Sequence, residues 1–240
     1  MKLVRPKILA LVAVIAVLGS LPAYAQDRFR DINANVPAAN IRTVVVDANV
    51  GTVRLSGTSG DSVRIDLRLE AKRNYSLFSF FGGRRRGDVN GVDLRTDVRG
   101  TELRITLRGH RDDLEEDWMI TVPVQVEAKV TVNVGDIDLN GVTGGCEAVM
   151  NVGKVRIDVP EGHIRAVTNV GDLVVRTSTR SYGDVRVSAN VGDTRLVVDG
   201  HRVPNAKRNY GPGGRVTFNG PGRDRIDVRA SVGDAEVTIR

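Results

Sequence analysis

Cysteine is almost absent from this 240-residue chain: Cys146 stands alone. No internal disulfide can form, so packing and backbone ladders must hold the fold. The expected setting of Cys146 is a small buried site in a strand. Aromatics are 4% of the chain, with a single Trp. That poverty disfavours a sugar-processing cleft, whose subsites need stacking rings. Histidine is scarce as well, and His110, His163 and His201 are too scattered for metal-ligand spacing. No G-x-S-x-G, S-x-x-K or H-E-x-x-H pattern occurs. The longest apolar run, residues 8–18, has 11 residues, short of the roughly 20 that a spanning helix needs. Helical periodicity is missing after that run.

The first 25 residues read as a leader. Lys2, Arg5 and Lys7 form a basic start, residues 8–18 an apolar middle, and Ala23-Tyr24-Ala25 a small-residue cleavage site. The prediction is a cleaved signal peptide over 1–25 and one exported domain over 26–240. No Cys follows the apolar run, so a lipid anchor is not expected. The location implied is periplasmic, secreted or cell-surface, with no transmembrane segment in the mature chain.

Charge adds little. The chain has 35 basic and 29 acidic residues, and the leader holds three of the basic ones and none of the acidic. The remainder is mildly basic, without the clustered face that nucleic-acid binding requires. Most Arg residues alternate with apolar ones, as on the wet face of a strand.

What the sequence has in plenty is a repeated turn. Asn49-Val50-Gly51, Asn133-Val134-Gly135, Asn151-Val152-Gly153, Asn169-Val170-Gly171, Asn190-Val191-Gly192 and Ser231-Val232-Gly233 each lead into a short alternating strand. The central spacings are 18, 18 and 21 residues, a period that means stacked repeats. Each period holds two strands, as in Val155, Ile157 and Val159 alternating with Lys154, Arg156 and Asp158. Asn133, Gly135, Asn151, Gly153, Asn169, Gly171, Asn190 and Gly192 are expected to form the corners, because Asn and Gly tolerate positive φ. The middle Val is expected to point inward and staple each corner to the core. The predicted fold is all-β: a β-solenoid or β-helix-like roll of coils about 4.8 Å apart, with an antiparallel hairpin insertion at about 58–122.

Asp117-Trp118-Met119-Ile120-Thr121-Val122-Pro123, followed by repeated V-G-D turns, resembles the bacterial putative-adhesin families of unknown function, the toastrack-type domains. The resemblance is best over 117–199. It implies a right-handed β-solenoid-like fold, export, and a role in envelope sensing or adhesion. It transfers no catalytic residue. Those families usually place Ser or Thr before the Gly-Asp, where this chain has Asn-Val.

Two features invite a binding role. After the corner glycines come Asp136, Lys154, Asp172, Asp193 and Asp234. Asp136, Asp172 and Asp193 are weak candidates for a shared Ca2+, but the calcium nonapeptide is missing and Lys154 interrupts the column, so no cofactor is expected. The alternative is that each Asp bonds its own turn backbone. The second feature is a run containing Leu77, Phe78, Phe80, Phe81, Arg84, Arg85 and Arg86. Apolar side chains beside clustered Arg suit an anionic membrane surface or a partner groove; a cap on an open solenoid end is the structural alternative. The acidic run 111–117 reads as a solvated loop. The sequence therefore points to an exported, non-enzymatic envelope or adhesin-like module for a protein, glycan or membrane partner. A β-helix polysaccharide lyase or hydrolase is the alternative. The oligomeric state is open.

Overall fold

The computed structural model describes residues 28–72, 88–109, 111, 113–178, 182–204 and 213–240. The predicted leader (residues 1–25) and residues 77–86, with Leu77, Phe78, Phe80, Phe81, Arg84, Arg85 and Arg86, lie outside the described residues. In chain order the strands are β1 (Phe29–Pro37), β2 (Thr43–Thr58), β3 (Ser62–Ala71), β4 (Val92–Arg99), β5 (Glu102–Gly109), β6 (Leu114–Pro123), β7 (Glu127–Asn140) and β8 (Cys146–Asp158). There follow β9 (Ile164–Val170), β10 (Leu173–Thr177), β11 (Tyr182–Val191), β12 (Thr194–Val198), β13 (His201–Arg202), β14 (Gly214–Asn219), β15 (Asp224–Val232) and β16 (Ala235–Ile239).

The fold is a β-solenoid-like roll. The long strands β2, β7 and β8 each bend at their N-V-G corner and so serve two faces. One face runs β4-β5-β2-β7-β8-β9-β15-β11-β14, through the first halves of the bent strands. The other runs β1-β3-β6-β2-β7-β8-β10-β16-β12-β13. Pairing within the stack is parallel, and both ends close with antiparallel strands: β4, β3 and β1 at one end, β14 and β13 at the other. The insertion expected at about 58–122 contains two of these antiparallel pairs, β3–β6 and β4–β5. It also contains a coil of its own, because β5 and β6 both run parallel to β2.

Period-2 alternation fills the interior. Val46, Val130, Ala148, Ala166, Val228 and Val187 form one in-register inner column. Leu55, Leu139, Ile157, Val175, Val237 and Leu196 form a facing one. All are 2% exposed or less. One column is built of Val and Ala and the other of Leu, Ile and Val, so aliphatic side chains alone fill this part of the interior. Cys146 lies in such a column, between Ala128 and Ile164. Burial pushes its thiol up to about 12, so it is an inert packing group.

The coils do not stack in chain order. The segment β15–β16 sits between β9–β10 and β11–β12, parallel to both. The stack order at the corner is therefore 51, 135, 153, 171, 233, 192.

Candidate functional surface at the corner edge

Each corner glycine has φ between 129° and 141°, a region that side chains rarely adopt. A Cβ on Gly153 would also run into the carbonyl oxygen of Gly135, and one on Gly171 into that of Gly153. Glycine is thus required twice over, by backbone angle and by the close approach of the next coil.

With the glycines fixed, the two residues before them line the outside of the edge. Asn151 donates from Nδ2 to Oδ1 of Asn133 at 3.0 Å, and Asn169 donates to Asn151 at 2.8 Å. Asn133 reaches Asn49 at 3.4 Å. The predicted turn asparagines form an exposed amide ladder, and Ser231 interrupts it before Asn190. The middle valines correct the expectation drawn from their type. Val134, Val152, Val170, Val232 and Val191 are 39–46% exposed. They form an in-register outward column that continues from half-buried Val50. The inner face is already filled by Val132 and Ile137, and the corner turns the intervening valine out.

Beyond the glycines runs the charged column Asp136, Lys154, Asp172, Asp234, Asp193. Two of its carboxylates bond the backbone of the neighbouring coil: Asp234 N–H donates to Oδ1 of Asp172 at 3.2 Å, and Asp193 N–H to Oδ1 of Asp234 at 2.8 Å. Among the described residues, no three His, Cys, Asp or Glu side chains gather as a metal site would need. Past the glycines Arg156 meets Asp138 at 3.5 Å, and on the face before the corner Arg165 meets Glu147 at 3.0 Å. Unlike charges thus face each other across neighbouring strands.

The acidic run 111–117 is not a solvated loop. Its second half is in β6, and Leu114, Glu116 and Trp118 all face inward. Glu116 is 1% exposed. Its Oε2 accepts from Trp118 Nε1 at 3.0 Å and from the Asn49 N–H at 3.2 Å. Arg111 stands 3.7 Å from its Oε1, which has no hydrogen bond. Here the coil lacks an N-V-G corner, and a carboxylate takes over the backbone N–H of the corner above. Burial raises the Glu116 pKa, against the lowering pull of the Trp118 and Asn49 hydrogen bonds and of the Arg111 charge. The sequence reading missed this residue, although strict alternation with Trp118 places it inside.

Beside this end lies an open groove of about 470 Å³ lined by Phe29, Thr52, Arg54, Arg68, Glu70 and Asp117, among others. The Arg68 guanidinium sits 4.7 Å from the Phe29 ring centre. Arg54 pairs with Asp117 at 2.7 Å and Arg28 with Glu70 at 3.3 Å.

This architecture is that of an all-β stacked roll whose outer edge, not a cleft, presents the repeated side chains. No protein-family model and no curated protein matches the chain. Among solved structures, it is similar to a putative cell adhesion protein from Clostridium sporogenes, with 13% identity, a TM-score of 0.55, and coverage of 89% of this chain and all of that one. It also matches putative adhesins from Bacteroides fragilis (8% identity, TM-score 0.30, 88% of this chain and 97% of that one) and Parabacteroides distasonis (10%, 0.25, 86% and 97%). The first likeness shows a shared fold, so the resemblance read from the V-G-D turns holds at the level of architecture.

Proposed function

We propose that this protein is an exported, non-enzymatic adhesin-like module that docks on a cell-envelope partner through its corner edge. The observation that carries this reading is the in-register column of exposed valines, flanked by an amide ladder on one side and carboxylates on the other. Contiguous exposed apolar surface rimmed by polar groups marks interaction sites. The repeat multiplies a weak contact along the stack, which favours a partner that is itself extended or repetitive. The leader-like start of the sequence supports a location outside the cytoplasm.

The test is co-sedimentation of residues 26–240 with envelope fractions, separated into lipid vesicles and peptidoglycan. The triple variant Val134→Ser, Val152→Ser, Val170→Ser is expected to melt within a few degrees of the parent, since exposed substitutions cost about 0.5 kcal/mol or less each. It is expected to lose most of the bound fraction. Binding that survives this variant but disappears when residues 77–86 are removed would move the site to the Phe/Arg segment. No binding to either fraction would move the reading to a protein partner or a spacer.

A further inference from the structure

The coils β9–β10 and β11–β12 follow one another in sequence yet do not touch as neighbours; β15–β16 separates them throughout. On one face β15 pairs with β9 from Ile226↔Ile164 to Val232↔Val170 and with β11 from Tyr182↔Asp224 to Val191↔Val232. On the other, β16 pairs with β10 from Leu173↔Ala235 to Thr177↔Ile239 and with β12 from Thr194↔Ala235 to Val198↔Ile239. The inward side chains of the segment, Ile226, Val228, Ala230, Ala235, Val237 and Ile239, are 4% exposed or less. The rest of the fold therefore contains a slot bounded by two strand edges on each face. That slot cannot stand empty: it would leave unpaired N–H and C=O rows and an open apolar interior.

We infer that this slot is a self-recognition site, filled by β15–β16 of the same chain or of a second copy, so that the protein forms arm-exchanged dimers. Every contact of the slot is the same in the closed and exchanged forms, because the arm brings its register with it. What must differ is the connection from β14, where Gly220-Pro221-Gly222 supplies the turn. It is held by the Gly220 N–H on the Gly183 carbonyl at 2.6 Å. Short hinges next to exchangeable elements are the known route to swapping. In dilute protein the tethered arm wins by its effective concentration, of the order of millimolar for a short link. Folding at comparable protein concentration lets the partner's arm compete.

The exchange is read with one-cysteine pairs. Arg195 and Glu236 are register partners on the outer face of β12 and β16, and Cys146 is buried. Arg195→Cys in one copy and Glu236→Cys in the other are co-refolded at high concentration and oxidised. The expected product is a covalent heterodimer whose peptide map joins position 195 to position 236, in about half of the dimers, the statistical share for a symmetric exchange. The same two variants mixed after folding should give none. Monomer alone after co-refolding, or dimers lacking that bond, would overturn the proposal. A second experiment needs no substitution. Isotope-labelled and unlabelled parent chains should yield a mixed-mass dimer after co-refolding, and that dimer should persist on dilution, because each arm must unpair along both faces before its own chain can close. A mixed dimer that also forms from folded copies and falls apart on dilution is surface docking and would equally overturn it.

Discussion

At the scale of single residues, the side chain that departs furthest from its type is Glu116. A carboxylate 1% exposed is stable there because it answers two backbone and indole donors that the missing corner would otherwise strand. Its raised pKa makes it a source of pH dependence. The folded form holds its proton at pH values where the unfolded chain, near the ordinary 4.5, has already released it. Folding stability from this group is therefore full below 4.5 and is lost as pH rises through the raised folded value. Glu116→Gln keeps an oxygen for Trp118 and Asn49 but cannot ionise. The variant is expected to be more stable than the parent at neutral pH, with a flatter stability profile above pH 4.5. Urea melts across that range check it. A variant that keeps the parent's slope would remove Glu116 from this role.

At the scale of the coil, the repeated corner accounts for most of what the sequence made legible. Gly and the alternating strands announced the turn, the period and the inward columns, because each is dictated by local backbone chemistry; the corner asparagines do not take the positive φ expected of them and act through their side chains instead. The direction of the corner valines was not legible. Val132 and Ile137 both face inward at an odd separation, so the alternation changes phase between them, and residue 134 falls on the break. Apolar type alone gave the wrong side. The amide ladder makes this a coil-level property with its own measurement. Asn151 is both donor and acceptor in it, and it is exposed, so no buried group is orphaned by its loss. Asn151→Ala should cost about 1 kcal/mol in denaturant melts, the net value of such bonds. Ser231→Asn should return roughly 0.5–1 kcal/mol by bridging the interruption. Equal and negligible effects for both would mean that the ladder adds nothing beyond the glycine corners.

At the scale of the whole molecule, the rank of each coil in the stack was hidden, since Ser231-Val232-Gly233-Asp234 carries nearly the same pattern as its neighbours and any coil fits any slot by pattern alone. Rank is set by connections: the link from β10 to β11 is followed by the antiparallel strands β13 and β14 before the chain returns to the gap. That order has a kinetic consequence. Stacks with mostly non-local pairing fold slowly, because loop closure precedes its reward. The inserted segment needs both slot walls, β9–β10 and β11–β12, in place, and β9–β10 itself stacks on β8, so its contacts are expected to form late. Val237 and Ile137 are both fully buried in the roll. Truncating either to Ala should destabilise by about 2 kcal/mol through lost burial and cavity formation. The two losses should divide differently between the rates. Val237→Ala is expected to speed unfolding with little change in folding, giving φ near 0. Ile137→Ala is expected to slow folding, with φ roughly 0.5 or above. Chevron plots of the two variants measure this directly. A high φ at Val237 would mean that the arm enters early and that the slot is built around it, and exchange between copies would then compete from the first step of folding.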